Sequence, residues 1–163
     1  MCGIAGVVAY LPSARGPDRE LLARMCGAMR HRGPDEFGVY RDARVGLAHA
    51  RLSIIDLASG QQPLSNEDGS IWLVFNGEIF NYVELREELL AHGHTLRTKS
   101  DTEVIVHAYE QWGEAAFERF NGQWAVALWD RNKQELVPSR DRYGVRPTYY
   151  VEQAGRVYFA SEV

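Results

Sequence analysis

The segment Gln123 to Asp130, QWAVALWD, constrains the fold more than any other. Read as a strand, it puts Trp124, Val126 and Leu128 on one face and Ala125, Ala127 and Trp129 on the other. Both faces are apolar, so both must be covered by other layers. A half-wet sheet or a helical bundle does not satisfy that requirement. The 163 residues are 45% hydrophobic and suit one domain, which on folding buries roughly 70% of the surface of its unfolded chain.

The other periodicities supply the covering material. Gly3 to Tyr10 is small and β-branched, as in a buried strand. Leu21, Leu22, Met25 and Met29 recur at helical spacing, predicting a helix over Asp18 to Arg30. HRGPDEFG, His31 to Gly38, reads as a turn, followed by strands Phe37 to Tyr40 and Val45 to Leu52. Asp56 to Gly69 is polar and turn-rich, a loop. Asn81 with Glu84, and Ser100 with Glu103, have capping-box spacing and open two further helices; Gly93 stops the first. The second is buried through Val104, Ile105, Ala108, Tyr109 and Trp112, and a short helix surrounds Phe117. Beyond Asp130 come strands Glu135 to Pro138, Thr148 to Glu152 and Arg156 to Ala160, with turns at Arg131-Asn132-Lys133 and Ala154-Gly155. Strand runs around a block of helices predict an α+β fold with an antiparallel layered sheet.

Charge and cysteine content narrow the chemistry. A net charge of −4 without a basic run argues against nucleic acid or an anionic membrane as partner. Two cysteines are too few for a disulfide scaffold, which favours a reducing, cytoplasmic setting. Cys26 lies in the apolar helix pattern as ordinary packing. Cys2 follows the initiator methionine, whose removal would give it a free α-amine beside its thiol. An amine of pKa about 7.7–8.0 is an available base near neutrality. The bland alternative is a buried strand-end cysteine.

Other candidates carry two readings each. Asn76-Gly77 predicts a type I′ turn between IWLVF and EIF; the sharper reading is an oxyanion hole made by the Asn76 amide and the Gly77 N–H. Arg51 interrupts the apolar HARLSII and needs a partner if buried. With Asp101 or Glu78 it would clamp a zwitterionic amino acid, although each alone suits a structural ion pair. His49 alternates with apolar residues as a core group. His92 and His94 flank Gly93 as a weak metal pair without further ligands. No phosphate-binding loop, dinucleotide fingerprint or zinc spacing is present in the sequence.

The blocks MCGIAGVV, HRGPDEFG, ARLSIIDL, NGEIFNYVELREEL, KSDTEV, FNGQWAVALWD, SRDRYGVRPTYY and FASEV together resemble the class II glutamine amidotransferase domain. HRGPDEFG and NGEIFNY are similar to its asparagine synthetase branch. The resemblance implies an N-terminal-nucleophile hydrolase fold, an αββα sandwich of two antiparallel sheets. It implies Cys2 as nucleophile with its own amine as base, and Asn76 and Gly77 as the oxyanion hole. Arg51 would take the glutamine α-carboxylate, Glu78 and Asp101 the α-ammonium, with backbone at Ile54 and Ile55 lining the pocket. L-glutamine would be the substrate, and the domain would need neither metal nor cofactor. ATP and Mg would belong to a synthetase domain, fused or on a separate chain, that residues 1–163 do not include. A homo-oligomer is compatible with this reading. A catalytically idle module of the same fold, or an acceptor other than aspartate, are the alternatives. Gln123-Trp124, Pro138-Ser139, Arg146 and Thr148 depart from the usual family residues, bearing on ammonia exit and domain interface.

Overall fold

The computed structural model describes residues 1–52 and 60–163. The first sheet has the order β2-β3-β1-β9-β8, built from β1 (Gly3–Ala9), β2 (Glu36–Arg41), β3 (Val45–Arg51), β8 (Tyr149–Gln153) and β9 (Arg156–Ala160). The second has the order β4-β5-β6-β7, from β4 (Leu64–Ser65), β5 (Ile71–Ile79), β6 (Gly122–Asp130) and β7 (Glu135–Arg140). All pairings are antiparallel. Helix α1 (Arg19–Ala28) covers the outer face of the first sheet; α2 (Tyr82–Ala91) and α3 (Asp101–Trp112) lie over the second, with a short α4 (Ala116–Arg119) after them.

Three apolar seams hold the four layers. Ala5, Ala48 and Ala50 meet Cys26 and Met29 of α1, and the small strand residues let that helix approach closely. Between the sheets, Ile4, Val45, Leu47 and Phe159 pack against Val74, Ala125, Ala127 and Trp129. On the far side Leu73, Phe75, Val126 and Leu128 meet Leu85, Leu89, Val104 and Ile105. Strand β6 thus feeds two seams, as its double-apolar pattern requires. Trp129 is fully buried and donates its indole N–H to Asp42 Oδ2 at 2.8 Å, so its one polar atom is satisfied.

Five local expectations change. Asn76-Gly77 makes no hairpin: β5 runs through both, Asn76 opposite Ala125 and Gly77 opposite Trp124. Glycine is needed at 77 because a Cβ there would sit 2.0 Å from the Gln123 carbonyl oxygen of β6. Asn81 caps nothing with its side chain, which instead bridges to Arg119 O and Asn121 N. Ser100 does cap α3, accepting from Thr102 N, but Glu103 reaches past it to the amides of Arg97 and Thr98. β2 begins at Glu36, inside the HRGPDEFG segment, and the two-residue β4 lies inside the expected Asp56 to Gly69 loop. No helix among the described residues is long and apolar enough to cross a membrane.

Candidate active site

The cleft grows out of the inter-sheet seam by strand periodicity. Val45 and Leu47 face that seam, and two-residue steps along β3 continue the row to His49 and Arg51. The same rule carries Val74 to Asn76 and Glu78 on β5, and Ile4 back to Cys2 at the start of β1. Where the apolar rows end, polar ones take over. The first turn of α3 closes the side with Ser100, Asp101 and Thr102. Together these residues line a cleft of about 130 Å³, whose wall also includes Met1, Leu52, Gln62, Gly77 and Arg146.

Cys2 is half-buried and held by backbone. Its Sγ lies 3.4 Å from Leu52 N and 3.6 Å from Leu52 O, and its carbonyl accepts from Arg32 Nε at 3.0 Å. Arg32 is itself anchored by Glu162, at 2.6 Å. Arg51, 4% exposed, gives Nη1 to Glu36 Oε2 at 2.6 Å, a residue directly opposite it on β2. That ion pair holds the Glu36 carboxyl below the usual range. The guanidinium has five N–H donors, and the fork faces the cleft as well as Glu36.

Six residues among those described hold a buried polar atom without a hydrogen-bond partner, and of these Asn76 presents its amide on the cleft that Cys2 and Asp101 also line. It is 2% exposed, yet its Nδ2 donor has no hydrogen-bond partner among the described residues. A buried amide left unpaired costs roughly 1–3 kcal/mol, and such groups call for a reason. Across the cleft Asp101 is 5% exposed; its Oδ2 accepts from Ile79 N at 3.1 Å, and burial pushes its carboxyl above the ordinary value. Gln62 ties the walls together: its Oε1 accepts from Phe75 N at 2.6 Å and its Nε2 donates to Thr102 Oγ1 at 3.3 Å. His49 sits behind, Nε2 3.2 Å from Phe75 O, its pKa pushed down to about 4 by burial. It is therefore neutral, an N–H donor to that carbonyl, and belongs to the core.

The structure thus brings Cys2, Arg51, Asn76, Gly77, Glu78 and Asp101 to one cleft. Ile54 and Ile55 lie outside the described residues. Sequence reasoning missed Gln62, Arg32 and Glu36. Gln62 sits in a polar loop without periodicity, and Arg32 meets Glu162 across 130 positions. Glu36 opposite Arg51 was reachable only through the β2–β3 register.

A family model described as glutamine amidotransferase domain matches residues 1–163. The chain belongs to the glutamine amidotransferase domain family. It is 47% identical to "Asparagine synthetase [glutamine-hydrolyzing] 1" of Bacillus subtilis over 99% of the domain and 26% of that relative. It is 39% identical to a probable asparagine synthetase of Dictyostelium discoideum, over 100% of the domain and 29% of that relative. The domain spans about a quarter of the length of such relatives. Its fold matches that of a solved B. subtilis glutamine phosphoribosylpyrophosphate amidotransferase, with TM-score 0.77, 19% identity, and 98% of the domain against 42% of that chain covered. The αββα architecture is accordingly shared with that amidotransferase.

Proposed function

We propose that this domain hydrolyses the side-chain amide of free L-glutamine and delivers the ammonia to an ATP-dependent synthetase domain of the asparagine synthetase type. The unpaired Asn76 Nδ2 carries this reading. It is a buried donor, already desolvated, in the same cleft as the Cys2 thiol, the Arg51 guanidinium and the carboxyls of Glu78 and Asp101. Such a donor costs no reorganisation when an oxyanion forms beside it.

The chemistry follows from the residues. Removal of Met1 exposes the Cys2 α-amine and clears a residue from the cleft wall. The amine takes the thiol proton, and sulfur attacks the glutamine side-chain carbonyl carbon. Negative charge on oxygen is met by Asn76 Nδ2 and the Gly77 N–H. The amine returns the proton to the leaving nitrogen, the C–N bond breaks, and ammonia departs from a γ-glutamyl thioester. Water then gives a proton to the amine, its oxygen attacks the thioester, and the thiolate leaves and recovers that proton. Arg51 receives the substrate α-carboxylate; Asp101 and Glu78 receive the α-ammonium.

The test joins intact mass with glutamate release. The mature wild-type protein should lack Met1 and hydrolyse glutamine, and Cys2→Ala should lose at least about 10³-fold in kcat. Equal activity of Cys2→Ala, or activity with Met1 retained, overturns the nucleophile. Arg51→Ala should raise the glutamine KM; an unchanged KM overturns the carboxylate contact.

A further inference from the structure

Helix α3 carries a second polar centre. Nine residues beyond Asp101, about 13 Å along the helix, Glu110 meets two histidines. Glu110 Oε2 lies 2.5 Å from Nδ1 of His107 and 3.6 Å from Nδ1 of His94, which comes from the turn after α2. The three ligand atoms all fall within 4.8 Å of one another. His94 therefore finds its partner in His107 rather than in His92, which packs edge-on against Trp112.

The surroundings of the two rings are matched. His94 Nε2 lies 3.0 Å from Gln111 Oε1, and His107 Nε2 faces Glu67 Oε1 at 3.6 Å and Glu103 Oε1 at 3.8 Å. Acceptors stand behind both Nε2 atoms, and both Nδ1 atoms turn toward one carboxylate oxygen, with a proton shared between His107 Nδ1 and Glu110. Glu110 is braced in turn, its Oε1 accepting from Asn66 Nδ2 at 2.8 Å. Metal-ligating imidazoles are typically oriented by this kind of outer partner. A protonated His107 in a plain ion pair accounts for its contact with Glu110. It does not account for His94 presenting its Nδ1 to the same oxygen while Gln111 holds the other nitrogen.

We propose that His94 Nδ1, His107 Nδ1 and Glu110 Oε2 form a binding site for a divalent transition cation of the zinc type. Two imidazoles and a carboxylate suit a borderline-soft ion. A hollow of about 300 Å³ bordered by Glu67, Gly93, His94 and Glu110 opens onto the cluster and admits water as a further ligand. The ion displaces the proton shared by His107 and Glu110, and their contact widens to about 3.3 Å to accommodate ligand bonds near 2.0–2.2 Å. The site clips the segment after α2 to the middle of α3. It extends the sequence reading, which found no metal ligands beyond the His92–His94 pair.

The test is a titration with zinc alone, and with cobalt as a spectroscopic stand-in. The thiol and amine at residue 2 are themselves a chelator, so the protein is Cys2→Ala. One equivalent should bind, cobalt should give a visible absorption band, and zinc should raise Tm. His94 is half-buried at the rim, so its replacement is compatible with folding, checked by circular dichroism. Adding His94→Ala should weaken zinc by at least about 10-fold and abolish the Tm shift; Gln111→Ala should weaken it by about 10-fold. Failure of the Cys2→Ala protein to bind one equivalent, or binding unchanged by His94→Ala, overturns the site.

Discussion

Asp101 and Glu103 stand two positions apart on α3, both carboxylates and both at least 95% buried, yet the protein treats them in opposite ways. Burial pushes the Asp101 carboxyl up, against the Ile79 and Thr102 amides and the Ser100 hydroxyl, with Glu78 adding to the rise. Glu103 is held down to about 2, against its own burial, by His107, by the amides of Arg97 and Thr98 and by the Thr98 hydroxyl. A structural carboxylate is surrounded by donors from its own chain. Asp101 instead lines the cleft, where the proposed substrate ammonium would join its three local donors. Asn76, with its unpaired donor, belongs with Asp101.

The largest expected effect breaks the satisfied side. Glu103→Ala removes the acceptor of three local donors and a partner of cationic His107, and should destabilise folding by about 3–5 kcal/mol in denaturant melts. A loss under about 1 kcal/mol would show that the network is ornamental. On the unsatisfied side, Asn76→Ala should cost about 10²–10³ in kcat while leaving folding stability within about 1 kcal/mol. A normal kcat, or a large stability loss, would reassign Asn76 to structure. Asp101→Asn should raise the glutamine KM by about 10- to 100-fold, with little change in the melting midpoint. Steady-state kinetics at saturating enzyme processing separates this from a loss of fold.

The smallest effect is in pH dependence, measured on chelator-treated protein. His107 is raised to about 9 by the carboxylates of Glu103, Glu110 and Glu67. Its stabilisation is complete below the unfolded histidine value of about 6.5 and is lost as pH rises through 9. Glu103, depressed, stabilises above the unfolded value of about 4.3 and loses this as pH falls through about 2. Asp101, raised, has the opposite sign and gives up stability as pH climbs past its folded value. Tm followed from pH 6 to 10 should fall in wild type and fall less in His107→Gln. Parallel curves would place the alkaline loss elsewhere.

Much of this was legible because it depends on periodicity. The double-apolar run in β6 demanded two covering layers, and the helical spacing of Leu21, Leu22, Met25 and Met29 gave α1, in which Cys26 is buried as ordinary packing. The candidate site was legible through contiguous blocks, and six of its residues share the cleft. What failed was local chemistry overridden by pairing. Asn-Gly favours a turn, yet nine paired positions along β6 keep β5 extended through it. Asn81 has capping spacing, but the backbone near Arg119 competes for its amide. Contacts such as Gln62 to Phe75 and Arg32 to Cys2 arise from loops and distant segments, where no repeat in the chain announces them.

Strand β1 sits in the middle of its sheet, between β3 and β9, with Ala5 opposite Ala48 on one side and Ala160 on the other. The proposed nucleophile is thus mounted on a strand whose second neighbour is made some 150 residues later in synthesis. Closing so wide a loop is slow, and it comes after the local hairpins and helices have formed. Cys2 is therefore made well before the strand that locks β1 in place. That order leaves the residues around Cys2 accessible before the cleft is assembled.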